Sequence, residues 1–152
     1  MPILNGGQAL IESLRLAGIR TVFGVPGAGQ YEAVDALYHH PTIRYISLRH
    51  EQAASYMADG YARASGEIAA ALVLPGPGIY NAGAGIATAY ATSTPMLVIT
   101  GTRHQEGAHP SSKSAENELD WYNNLAKWAV RAKSPAHIPK LVQTALTQMI
   151  TG

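Results

Sequence analysis

Apolar and polar positions along the chain switch repeatedly between two periods. Residues 6–17 (GGQALIESLRLA) place Ala9, Leu10, Leu14 and Ala17 on one helical face, and Gly18 stops the pattern. A short run, RTVFG (20–24), is β-branched and aromatic and ends in Gly24-Val25-Pro26-Gly27. The pattern then predicts a helix over 28–38, a strand over 43–48 (IRYISL), a helix over 50–65, and a strand over 69–74 (AAALVL) closed by Pro75-Gly76-Pro77-Gly78. An Ala-rich helix over 79–92 and a strand over 96–100 (MLVIT) follow. Beyond a polar loop (101–116), KWAVRA (127–132) reads as an edge strand. In the final segment Ser134 is placed to cap a helix with Pro135 at its first position, and Ile138, Leu141, Val142, Ala145, Leu146, Met149 and Ile150 form one apolar stripe.

Short, wholly apolar strands alternating with helices predict a doubly wound α/β domain: a mostly parallel sheet with helices on both faces. In such sheets ligands bind beyond the carboxyl ends of the strands. Four strand exits share that edge: Gly24-Val25-Pro26-Gly27, Arg49-His50-Glu51, Pro75-Gly76-Pro77-Gly78 and Gly101-Thr102-Arg103-His104. Two are rich in Gly and Pro, which lets backbone approach a ligand closely, and one supplies a carboxylate.

Composition narrows the function classes. The 152 residues suit one domain spanning 1–152 with a sizeable core. A formal net charge of +1, with acids and bases intermixed, offers no electrostatic footprint for nucleic acid or an anionic membrane. The absence of cysteine removes disulfides and thiolate metal sites and suits a reducing cytoplasm. No apolar run approaches the roughly 20 residues a bilayer span needs, and no signal peptide is read at the N-terminus.

Glu51 opens the helix over 50–65, in which Ala53, Ala54, Met57, Ala58, Tyr61 and Ala62 recur on what the spacing marks as a buried face. One reading makes Glu51 a first-turn acid favoured by the helix dipole, worth about 0.3–1 kcal/mol. The other makes it a ligand-edge functional group. The stretch LPGPGIYNAGAGIATAYA (74–91) fits neither phosphate-binding glycine fingerprint, because its prolines remove N–H donors. Its small residues Ala82, Gly83, Ala84, Gly85, Ala87 and Ala89 serve either tight internal packing or a subunit interface. His39 and His40 end a helix before Pro41, and His104 and His109 lack metal-ligand spacing, so no metal site is assigned to this chain.

Taken together, AGIRTVFGVPG, RHEQAASYMADGYARASG and LPGPGIYNAGAGIATAYATSTPMLVITG resemble the N-terminal, pyrimidine-binding domain of thiamine diphosphate-dependent enzymes of the acetolactate synthase, pyruvate oxidase and benzoylformate decarboxylase group. LAKWAVRAKSPAHIPKLVQTAL is similar to that domain's last strand and helix, so the resemblance spans essentially the whole chain. It implies that Glu51 hydrogen-bonds N1′ of the cofactor's aminopyrimidine and activates the cofactor for attack on a 2-keto acid. It also implies that Pro26 and Gly27 lie near the pyrimidine, and that Gly76, Pro77, Gly78 and Asn81 line the pyrimidine side and a subunit contact.

Two departures stand out. Leu74-Pro75 replaces a hydroxyl-bearing pair common in the family, and no Phe-Gln-Glu follows the fourth strand, Phe23 being the only Phe. Gln105 does not match that motif. The Gly-Asp-Gly…Asn motif that holds diphosphate through Mg2+ is also absent, since Asp59-Gly60 follows Ala58 and has no matching Asn downstream. The resemblance therefore implies half a site: the pyrimidine end of thiamine diphosphate here, with Mg2+ supplied by the diphosphate-binding domain of another chain. A homodimer or higher homo-oligomer through the pyrimidine-domain helices is expected, as is inactivity of this chain alone. A non-catalytic assembly module that retains the scaffold is the alternative.

Overall fold

The computed structural model describes residues 3–101 and 119–151. Thr102, Arg103, His104, Gln105 and His109 lie outside the described residues. Helix α1 (Gly6–Leu16) begins with a reciprocal cap: the Gln8 N–H donates to Asn5 Oδ1 at 2.8 Å, and the Asn5 N–H donates to Gln8 Oε1 at 3.1 Å. Gly18, at φ 78°, turns the chain into β1 (Thr21–Gly24). Helix α2 (Tyr31–Tyr38) starts three residues later than the pattern predicts. The Gln30 N–H closes a turn on the Gly27 carbonyl at 3.2 Å and Gly29 takes φ 86°, so residues 27–30 are spent as a loop.

After β2 (Arg44–Ser47), helix α3 (Glu51–Ser65) is capped by His50, whose Nδ1 accepts from the Gln52 N–H at 3.2 Å. Gly66 ends it in the left-handed region, at φ 73°. Strand β3 (Ala69–Val73) leads into α4 (Pro77–Ala91), with Pro77 in its first turn, where a missing N–H costs nothing. Strand β4 (Met96–Thr100) completes a four-stranded sheet of order β2-β1-β3-β4 in which every pairing is parallel.

Helices cover both faces, as a doubly wound α/β fold requires. On one face Val22, Ala70 and Leu72 pack with Ile11 and Leu14 of α1, Ala33 and Leu37 of α2, and Val142 of the last helix. On the other, Phe23, Ala69, Ala71 and Val73 pack with Ala54 and Ala58 of α3 and Ile79, Ala82 and Ile86 of α4. The direction of chain progress reverses between β1 and β3, so their exits flank the switch-point crevice.

The C-terminal third departs from the pattern. Residues 127–132 form no strand. Their alternation reflects side-chain anchoring instead: Ala129 packs on the α3/α4-side core, while Lys127 Nζ donates to the Thr151 carbonyl. Ser134 makes no side-chain cap, and a 3₁₀ turn (Pro135–His137) precedes α5 (Ile138–Ile150). Pro139 has no N–H to give the Pro135 carbonyl, so the Ile138 N–H takes it in a tighter turn. Only Val142 and Ala145 of the predicted α5 stripe are buried.

Candidate functional site

The exits of β1, β2 and β3 converge on a cavity of about 220 Å³ lined by Ala28, Glu51, Leu74, Pro75, Pro77, Gly78 and Asn81. Glu51 reaches it because β2 delivers the chain to the first residue of α3, against the start of α4. The Glu51 side chain is buried at 7% exposure. Its Oε2 accepts from Asn81 Nδ2 at 3.0 Å. Oε1 has no hydrogen-bond partner among the described residues and lies against the bare Cα of Gly78. A Cβ on Gly78 would sit 2.6 Å from Oε1 and 2.9 Å from Leu74 Cβ. Glycine is therefore needed at 78 for the carboxylate and the α4 backbone to share this corner. A buried carboxylate costs free energy unless hydrogen-bonded; the Asn81 amide and the amino end of α3 both offset that cost.

The residues expected at the site divide into two groups. Glu51, Pro77, Gly78 and Asn81 line the cavity directly. Pro26, Gly27 and Gly76 do not. Gly27 stands behind Leu74, since a Cβ there would lie 2.7 Å from Leu74 Cδ2. Gly76, at φ 75°, shapes the turn into α4, and Pro26 is exposed on the loop. Sequence reasoning did not assign Ala28 to the site, and it saw Leu74-Pro75 only as a lost hydroxyl. Here Leu74 is an apolar wall that touches both glycine-bearing loops. The signal for Ala28 was its place directly after Pro26-Gly27.

The predicted buried face of α3 is rotated. Ala54, Ser55, Ala58, Asp59 and Ala62 are buried, whereas Ala53 and Met57 are exposed. Gly85 of α4 presses on Ser55, where a Cβ would lie 2.3 Å from Ser55 Oγ and 2.8 Å from the Tyr56 backbone nitrogen. Asp59 tolerates burial because Arg63 pairs with it at 2.9 Å, and Arg63 in turn donates to Thr92 Oγ1 at 2.7 Å. Gly83 fits under the Trp121 ring. Gly78, Ala82, Gly83, Gly85, Ile86 and Ala89 are thus consumed by packing within the chain.

Residues 4–124 match the family described as thiamine pyrophosphate enzyme, N-terminal TPP binding domain. The chain belongs to this family. It is 36% identical over 151 residues to an acetolactate synthase large subunit of Lactococcus lactis subsp. lactis, covering 97% of this chain and 26% of that protein. A probable acetolactate synthase large subunit of Methanocaldococcus jannaschii is 36% identical over 149 residues, covering 98% of this chain and 25% of the relative. A large subunit from Buchnera aphidicola is 50% identical over 101 residues, 66% of this chain and 18% of its own length. The chain thus spans about a quarter or less of the length of these relatives.

A TPP-binding domain implies thiamine diphosphate as cofactor, and the cavity bears on how it fits. Sites that enclose a drug-sized molecule run to about 300–1,000 Å³; this cavity, at about 220 Å³, is smaller. Leu74, Pro75 and Pro77 supply it with apolar surface, and Glu51 with Asn81 supplies polar atoms. Among the described residues no three His, Asp or Glu side chains gather to hold a metal ion. Nor, among them, is any helix long and apolar enough to cross a membrane.

Proposed function

We propose that this chain is the pyrimidine-binding half of a thiamine diphosphate-dependent 2-keto acid decarboxylase or carboligase of the acetolactate synthase type. The observation that carries the reading is the Glu51 carboxylate, buried at the start of α3, held through Oε2 by Asn81 and, among the described residues, free at Oε1. Such a group presents one acceptor in a fixed place, where it can share a proton with a ring nitrogen. In this reading Glu51 holds that proton against N1′ of the pyrimidine, Asn81 fixes the carboxylate's rotation, and Leu74, Pro75 and Pro77 exclude water from the ring. The cofactor supplies, when bound, the electron sink for breaking the bond next to the keto acid's carbonyl.

The diphosphate and its Mg2+ belong to a diphosphate-binding domain of another chain, and the assembly is a cytoplasmic homodimer or higher homo-oligomer. The outer sides of α3 and α4 suit such a contact, since Tyr56, Met57, Tyr80 and Tyr90 are all exposed there. The test is Glu51→Gln in the native assembly. The amide keeps the shape and the Asn81 contact but cannot share a proton, so exchange of the cofactor's C2 proton, followed by NMR, is expected to stop while the cofactor still binds. Unchanged exchange would remove Glu51 from this role.

The Leu74-Pro75 wall, which offers no side-chain hydroxyl, favours a second reading in which the scaffold binds or assembles without catalysis. In that case Glu51→Gln leaves both assembly and cofactor occupancy unaltered, and the parent protein shows no C2 exchange.

A further inference from the structure

Gln30 is 2% exposed, yet it lies at the N-cap of α2, where its side chain makes no cap hydrogen bond. Instead it reaches across the sheet edge, and Nε2 donates to the carbonyl of Val73, the last residue of β3. Its own N–H closes the loop back onto the Gly27 carbonyl at 3.2 Å. One residue thus ties the loop after β1 to the end of β3. The residue after Val73 is Leu74, which packs on Gly27 and lines the cavity together with Ala28.

Oε1 of Gln30 is buried with no partner among the described residues. A half-satisfied amide is a poor choice for core stability alone, because an apolar side chain of similar length carries no polar atom of its own to leave unpaired. Holding the Val73 carbonyl is the one thing the amide does that a leucine or methionine cannot do.

We infer that Gln30 is a positioning residue that sets the distance between the Ala28 loop and the Leu74–Gly78 loop, and thereby the width of the ring slot in front of Glu51. The inference rests on the proposed function, since it gives that slot a pyrimidine to hold.

The experiment compares Gln30→Met and Gln30→Leu with the parent in the native assembly, titrating thiamine diphosphate with Mg2+ and, separately, inorganic diphosphate with Mg2+. Both variants remove the link to Val73 and the unpaired oxygen while filling the same space. The expected result is folded protein whose affinity for thiamine diphosphate is about tenfold weaker, ~1.4 kcal/mol, with affinity for inorganic diphosphate unchanged. A general loosening of the fold would weaken both ligands, and that result overturns the inference. Unchanged thiamine diphosphate affinity overturns it too, as does failure of both variants to fold, which would make Gln30 a core residue. If the parent itself binds thiamine diphosphate no better than inorganic diphosphate, the reading of the site falls and this inference with it.

Discussion

A carboxylate in the first turn of a helix is common, and by position alone Glu51 does not separate a dipole partner from a functional group. Three neighbours remote in sequence support the functional reading proposed above: Asn81 on Oε2, Gly78 beneath Oε1 and the Leu74 wall. Tyr45 shows the opposite case. Its hydroxyl is buried against Gly24 with no partner among the described residues, and burial pushes its pKa above the ordinary tyrosine value. The folded state therefore disfavours tyrosinate, so stability is full below about pH 10 and declines as pH rises toward the raised folded value. Tyr45→Phe removes an unpaired polar atom and fills the same space. Urea unfolding is expected to show it at least as stable as the parent at pH 7, by up to about 1 kcal/mol. Its relative advantage should grow above pH 10. A loss of more than about 1 kcal/mol at pH 7 would mean that the hydroxyl has a partner.

Among elements, the contact between α3 and α4 matters most, because it carries Glu51 to Asn81 and closes one side of the sheet. Its closeness depends on Gly85. Gly85→Ala drives a methyl into Ser55 and the α3 backbone, and is expected to destabilise by about 1–3 kcal/mol and to weaken cofactor binding by moving Glu51. Gly60, exposed on the same α3, has nothing within 4 Å of a Cβ position. Gly60→Ala is expected to stabilise by about 0.5–1 kcal/mol through helix propensity alone. Urea titrations of the two variants check the opposite signs. The stripe of small residues on α4 was legible in the sequence, but its use was not. Small side chains permit a close approach equally to an internal helix and to another subunit. Likewise the period of α3 marked an apolar side but not its rotation, because Ser55 and Asp59 displaced Ala53 and Met57 from the contact once Gly85 and Arg63 were in place. In the C-terminal third, Lys127-to-Val130 alternation looked like a strand, yet with no ladder partner among the described residues it is an irregular segment held by its side chains.

For the whole molecule, the sheet order β2-β1-β3-β4 puts the crevice between the β1 and β3 exits, and the two loops there line a cavity of about 220 Å³. In the proposed reading this cavity, with one carboxylate and one amide among its lining residues, orients the pyrimidine end of the cofactor while another domain holds the diphosphate. The isolated 152-residue chain, supplied with thiamine diphosphate and Mg2+, is accordingly expected not to turn over pyruvate, with activity returning when a diphosphate-binding partner is added. Turnover by the chain alone, followed by CO2 release, would refute the half-site reading. An edge strand with half-buried residues, β4, and exposed tyrosines on α4 mark the sides of the molecule left for further contacts.

By itself the sequence determined the order of strands and helices through β4, the parallel sheet and the place of Glu51 at the mouth of α3. Each of these is written in local signals: period, caps, and Gly or Pro at turns. Only the tertiary structure decided that Asn81 meets Glu51, that Leu74 becomes a wall, that Gln30 ties two loops together, and that Pro26 stays outside the cavity. Those outcomes depend on which residues meet across 30 to 50 positions of chain, and a contact at that range is set by how helices seat on the sheet, which no local pattern encodes.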